Sequence, residues 1–247
     1  MDPLRAEHPA RVLWLESQLA VAPLPKGVVA VPEPIRGTGF FSGGYGLWID
    51  GRAIMPVFPE GQVMIVGQDF NSVAVYERAR FAGIEVGTST TWKNLRPILL
   101  RSDLAEDAYF FTNVYMGLRD GGPETGRFPG ARDRDFAGRC MRFFIRQLEV
   151  SKPRLILTLG LEPLRFLCRL IMKIPPPKTL TACERIYDSV RLADGSAVVV
   201  VGLTHPSYYH ANVGRRSYGR FVGLEAENAM IRDGLRAAFG DYWPSTR

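Results

Sequence analysis

From Val63 onward the chain repeats one pattern: a short apolar run, a polar or glycine-bearing break, then a longer amphipathic stretch. The runs are VMIVG at 63–67, YFFTN at 109–113, RLILTLG at 154–160 and AVVVVGL at 197–203. Helical spacing is expected near 73–82, 91–101, 133–150, 161–172 and 217–239. Strands that are apolar at nearly every position, not at alternate ones, are buried on both faces, which is the signature of a mainly parallel sheet covered by helices. The expectation is therefore an α/β fold: a three-layer α/β/α arrangement around a central, mainly parallel four-stranded sheet. Residues 184–192 and 197–201 flank Ala193-Asp194-Gly195-Ser196, so the last strand is expected to be entered through a hairpin.

Each run ends in a polar or glycine signal: Gly67-Gln68-Asp69, Thr112-Asn113, Gly160, and Thr204-His205-Pro206-Ser207. Parallel strands bring their C-terminal ends to one edge, where open α/β sheets bind ligands. Asp69, Asn113 and His205 are thereby expected to share a cleft. Taken singly each residue has a plain structural reading, as a turn or helix cap for Asp69, a loop tie for Asn113 and a packed histidine before a proline turn for His205.

The 247 residues, 46% of them hydrophobic, suit a single domain over 47–247 preceded by an arm over 1–46. Within the arm, Val12, Leu15 and Leu19 predict a short amphipathic helix over 9–20, followed by a Pro- and Gly-rich passage from Pro23 to Gly46. Beyond it, an Asp-Gly pair between apolar stretches predicts a hairpin over 47–57. No apolar run reaches the roughly 18 to 20 residues that span a membrane, and no secretory signal opens the chain. A cytoplasmic, monomeric protein is expected. Cys140, Cys168 and Cys183 lack C-x-x-C spacing, and His8, His205 and His210 are the only histidines. Neither a metal nor an iron–sulfur site is expected, nor any organic cofactor. A formal charge of +6 and a pI near 9.4 tilt the expected partner toward nucleic acid.

In their order and spacing, GQDFNS at 67–72, TNVY at 112–115, LTLGLEPLRFL at 157–167 and THPS at 204–207 resemble the uracil-DNA glycosylase superfamily over roughly residues 60 to 240. The resemblance implies a monofunctional glycosylase that hydrolyses uracil from DNA and begins base-excision repair. Gly67, Gln68 and Asp69 match the opening of the water-activating loop, Asn113 the strand-end amide, and His205-Pro206-Ser207 the motif that leads into the DNA-wedging loop.

The chemistry accounts for these residue types. Breaking an N-glycosidic bond through an oxocarbenium-like state leaves positive charge on the sugar and negative charge on the base, so the site needs a carboxylate near one and a donor near the other. Asp69 is the candidate carboxylate and His205 the candidate donor to the base 2-oxo group, and the resemblance implies that this histidine acts neutral. Asn113 offers one acceptor and two donors, which pair with the ring NH and 4-oxo group of uracil and mismatch cytosine. An extruded base also needs an aromatic face. The resemblance puts that face at Phe81, with Phe70 and Trp92 as rivals. Gly67, Gln68, Phe70 and Asn71 complete the predicted substrate-contacting set.

After His205 the sequence PSYYHANVGRRSYGR interleaves rings with arginines. Ser207, Tyr208, Tyr209, Arg215 and Arg216 are the predicted DNA contacts, with Tyr209 standing where the family carries its wedge leucine. Two departures bear on substrate. Phe70 and Asn71 replace the proline and the thymine-excluding tyrosine of the housekeeping branch, and the second-strand motif TNVYMGLR looks like the thermophile-type branch without its cluster cysteines. The alternatives left open are a non-catalytic DNA-binding or damage-sensing module on the same fold, and a nucleoside hydrolase.

Overall fold

The computed structural model describes residues 9–32, 58, 60–83, 89–101, 109–122, 124–183 and 185–240. Within them the four apolar runs are strands β2 (Val63–Gly67), β3 (Tyr109–Asn113), β5 (Leu155–Leu159) and β7 (Ala197–Leu203). They lie parallel in the order β3-β2-β5-β7. A fifth strand, β6 (Ile186–Arg191), pairs antiparallel with β7 on the outer edge. The sheet therefore has five strands, not four: the expected hairpin supplies the extra one, and the parallel set stands as read.

Residue parity sorts the core. Met64, Val66, Phe110, Ile156, Val198 and Val200 face one side, while Val63, Ile65, Tyr109, Phe111, Leu155, Leu157, Val199 and Val201 face the other. The first side is covered by α4 (Arg134–Ser151) through Phe136, Phe143 and Phe144, and by α5 (Leu161–Leu167) through Leu164 and Leu167. The second is covered by α3 (Thr90–Arg101) through Trp92, Leu95 and Ile98, and by α7 (Gly223–Phe239) through Met230, Ile231 and Leu235. Each large apolar side chain so enclosed contributes about 1.5–3 kcal/mol of transfer free energy. Trp92 is wholly buried in this second layer, which places that rival for the base-stacking ring in the core.

The described part of the arm is built into the domain. Helix α1 (Pro9–Ala20) has the predicted span, and its Leu13 joins Val21 and Val28 in the first core layer. Strand β1 (Val28–Val29) then pairs antiparallel with β4 (Leu118–Arg119). The hairpin expected over 47–57 and the boundary at 46 fall outside the described residues. At the C-terminal end, residues 217–222 form a two-stranded hairpin, β8 (Ser217–Tyr218) and β9 (Phe221–Val222), so the last helix starts at Gly223 rather than 217. Gly219 at φ +57° makes the turn, which a continuing helix would not accommodate. The helix expected over 161–172 ends at Leu167 and continues as a π-turn over Cys168–Met172. Among the described residues no helix is long and apolar enough to cross a membrane.

Candidate active site

The parallel register sets the geometry of the edge. Gly67 stands opposite Asn113, Leu159 opposite Leu203, and the Gly160 amide donates to the Leu203 carbonyl at 2.8 Å. Asp69 and His205 each follow two residues past such a pair, so the topology carries both to one level. A cleft of about 1010 Å³ opens there, lined by Gly67, Gln68, Asp69, Phe70, Asn71, Asn113, Tyr115, Gly160, His205 and Ser207 among others. The volume falls at the top of the range typical of ligand pockets.

The loop that carries Asp69 is held by its own side chains. Asp69 Oδ1 accepts from the Asn71 amide at 2.9 Å, and Asn71 Oδ1 accepts from the Ser72 amide at 2.7 Å. Asn71 sits at φ +68°, a left-handed conformation that asparagine tolerates better than most residues. Ser72 then caps α2 (Val73–Ala82), its Oγ accepting from the Val75 amide at 3.3 Å. The plain turn reading given for Asp69 is thus met by its Oδ1 bond to the Asn71 amide, while the cap of α2 is Ser72, and the turn coexists with the placement of Asp69 and Asn71 on the cleft wall.

Asp69 is not alone. Arg119, at the end of β4, donates from Nε to Oδ1 at 3.1 Å and from Nη2 to Oδ2 at 2.7 Å, a bidentate pair whose side chains are 4% and 6% exposed. Arg119 closes the TNVYMGLR stretch, where nothing in the local sequence assigns it a part. The signal available was a basic residue ending an otherwise apolar stretch, and the partner lies fifty residues away.

His205 is oriented by its own turn. The Ser207 backbone amide donates to Nδ1 at 3.2 Å, so in the neutral ring the proton sits on Nε2. Burial pushes its pKa below the ordinary histidine value, against a smaller opposing pull from the Asp69 carboxylate. The ring packs on Gly160: a Cβ built there would lie 3.2 Å from His205 Cβ, and Gly160 has φ +93°. The turn is tied to α3, where Asn94 Nδ2 donates to the Pro206 carbonyl at 2.7 Å and Thr91 Oγ1 shares a 2.8 Å hydrogen bond with Ser207 Oγ.

Asn113 is 1% exposed at the cleft floor. Beside it Tyr115 lies stacked on Phe128, centroids 5.2 Å apart and planes 13° apart. Burial, and then Glu162, raise the Tyr115 pKa, which keeps its hydroxyl protonated. Tyr115 belongs to the TNVY motif, whose sequence alone gives it no role. Gln68 turns its Nε2 to the Gly126 carbonyl at 2.9 Å. Five arginines (78, 119, 127, 165, 169) line the cleft against three carboxylates (Asp69, Glu124, Glu162).

Two predicted contacts are placed elsewhere. Phe81 is 96% exposed on α2 and does not line the cleft, because Tyr76 and Ala79 define that helix's buried face and Phe81 projects away from it. Phe70, partly buried, is on the cleft wall together with Tyr76, Tyr115 and Phe166. Arg216 is not a surface contact either. Its side chain is 1% exposed, its Nε lies 3.3 Å from Oε1 of the fully buried Glu227, and its Nη2 donates to the Gly202 carbonyl at 2.7 Å. Glu227 Oε1 in turn accepts from the Thr204 amide at 2.6 Å, directly before His205. Arg215 is exposed, as is Ser207. Tyr208 lies in the single turn Pro206–Tyr208 and Tyr209 opens the short helix α6 (Tyr209–Asn212), and their side chains fall outside the described set.

The family model of the uracil DNA glycosylase superfamily matches residues 56–224, the span that holds every one of these motifs. The chain belongs to the uracil DNA glycosylase superfamily. That membership supports a DNA glycosylase-like role, with hydrolysis of a glycosidic bond and DNA as the substrate polymer. No curated protein matches the chain as a relative. Among the described residues no cluster of His, Cys, Asp or Glu is arranged to hold a metal ion.

Proposed function

We propose that the protein is a monofunctional uracil-DNA glycosylase: it takes a uracil nucleotide out of the duplex or from a single strand, hydrolyses its N-glycosidic bond and leaves an abasic site. The observation that carries this reading is the meeting of Asp69, Asn113 and His205 in one arginine-lined cleft of a superfamily chain. The edge of Asn113 reads the ring NH and 4-oxo group, and Phe70 gives the base a face to stack on. His205 Nε2–H donates to the 2-oxo oxygen as negative charge develops there, a preorganised donor of the kind that contributes most in a water-poor cleft. Asp69 faces the sugar side, where it orients water and offsets the oxocarbenium charge.

Ser207 and Arg215, both exposed, with Tyr208 and Tyr209 as the resemblance implies, are the proposed DNA contacts, and monomeric action suits this reading. With Asn71 committed to its turn, the wall that excludes larger or methylated bases is built from other residues, Tyr115 and Phe70 foremost. A product screen over oligonucleotides bearing uracil, hypoxanthine, xanthine and thymine tests the reading. Uracil is expected to be released fastest. DNA binding without release of any of the four would replace this proposal by the damage-sensing module, and release only from free nucleosides would replace it by the nucleoside hydrolase.

A further inference from the structure

The two oxygens of Asp69 are not equivalent. Oδ1 accepts two donors, Arg119 Nε at 3.1 Å and the Asn71 amide at 2.9 Å, whereas Oδ2 accepts one among the described residues, Arg119 Nη2 at 2.7 Å. A carboxylate oxygen offers about two lone-pair sites, so Oδ1 is filled and Oδ2 retains one. The same guanidinium donates to the carbonyls of Thr125 (3.2 Å), Gly126 (2.9 Å) and Arg127 (3.4 Å), and its Cζ lies 5.7 Å from the Phe128 ring centroid. A planar fork with donors committed in three directions has no rotational freedom left. It fixes the carboxylate plane and joins the Asp69 loop to the 124–128 wall.

Resting on the hydrolase reading above, we infer that Arg119 is a positioning residue of the reaction, one that fills Oδ1 and leaves Oδ2 of Asp69 as the atom that receives the attacking water. In that step the bond from C1′ to the base nitrogen breaks with its electron pair leaving on the base, and the water oxygen bonds to C1′. The water O–H breaks and its proton passes to Oδ2, from which solvent later removes it. His205 Nε2–H stabilises the departing anion, which takes its proton from solvent. Water bonded to an oxocarbenium carbon is a strong acid, so what its proton acceptor needs is the right place. Placement, not basicity, is then what Arg119 supplies.

Single-turnover base release and affinity for an uncleavable uracil-analogue oligonucleotide test this in Arg119→Lys, Arg119→Met, Asp69→Asn and the Arg119→Met/Asp69→Asn double variant. Arg119→Met is expected to slow the chemical step on the order of a hundredfold, the loss typical of a misplaced reacting group. Affinity is expected to stay within about threefold, and the double variant to be no slower than the slower single, because groups that act as a unit are non-additive. Arg119→Lys keeps the charge but not the fork, so it too is expected to slow the step. It carries the comparison if the methionine variant does not fold. An Arg119→Met or Arg119→Lys rate within about threefold of the native protein overturns the inference. So does a double variant slowed by the product of both single effects. A native protein inert on every oligonucleotide overturns the hydrolase reading itself, a result distinct from either of these.

Discussion

Replacing Arg216 with methionine separates two incompatible parts for this residue, a phosphate contact and a buried strut. In the structure the guanidinium stands 3.3 Å from Glu227, donates to the Gly202 carbonyl at 2.7 Å and also reaches the Leu180 carbonyl. Removing it leaves a fully buried carboxylate without its counterion, a change that costs about 3–5 kcal/mol when one partner of a buried pair is lost. With a denaturant slope of about 3 kcal/mol/M for a domain this size, a 4 kcal/mol loss lowers the urea midpoint by about 1.3 M. Burial already pushes the Glu227 pKa up, so its ionised form is the one disfavoured by folding. For a group whose folded pKa is raised, the stabilising contribution is present below the unfolded value and is lost as pH rises through the folded one. The cost of Arg216→Met is therefore expected to be larger at pH 8 than at pH 5. Urea unfolding at both pH values is the assay. A stability change within about 0.5 kcal/mol, the range for surface substitutions, together with a salt dependence of DNA affinity weakened by about one unit of slope, would refute the strut and restore the phosphate contact.

The remaining predictions concern the cleft. Gly160→Ala sets a methyl group against His205 at a left-handed backbone position, a strain of about 1–3 kcal/mol, and is expected to lower kcat about tenfold or more in steady-state assays with little change in KM. His205 has a depressed pKa and must be neutral for Nδ1 to accept from Ser207, so base release is expected to be level from pH 8 down to the ordinary histidine value of about 6.5 and to fall only below it. The histidine's contribution to stability follows the same direction, being lost as pH falls below the unfolded pKa, and a pH–rate profile with half the activity gone above pH 7 contradicts the assignment. Phe70→Ala is expected to weaken binding of uracil-containing DNA by the 1–3 kcal/mol that stacking contributes per base. Phe81→Ala is expected to change it less than twofold, and competition binding distinguishes the two aromatics.

The sheet was legible because runs such as VMIVG and VVVVGL are apolar at every position, and only a strand covered on both sides uses such a run at that length. Asp69, Asn113 and His205 were legible for the same reason: parallel topology alone brings strand ends together, before any side chain is placed. The hairpin over 217–222 was hidden because Tyr218 and Phe221 satisfy helical spacing as well as strand pairing. Arg215 and Arg216 differ by one position, yet one is exposed and the other buried. What decides between them is Glu227, eleven residues on and reached only through the turn into α7. Phe81 was misplaced because its distance along the chain is right while its helical phase is wrong: Tyr76 and Ala79 bury one face, and two residues past Ala79 is roughly the opposite one. The Arg119–Asp69 pair is not legible in the sequence because an ion pair between residues fifty apart leaves no local pattern.

In the proposed function, Asp69 and His205 together carry hydrolysis of the glycosidic bond. Single-turnover release of uracil from one oligonucleotide, comparing the native protein with Asp69→Asn and His205→Asn under saturating enzyme, tests it most directly. Rapid release by the native protein is expected, with a loss of about a hundredfold or more in each variant, the scale of a removed acid–base group or charge-stabilising donor, and DNA affinity largely kept. Release by either variant at the native rate would contradict it.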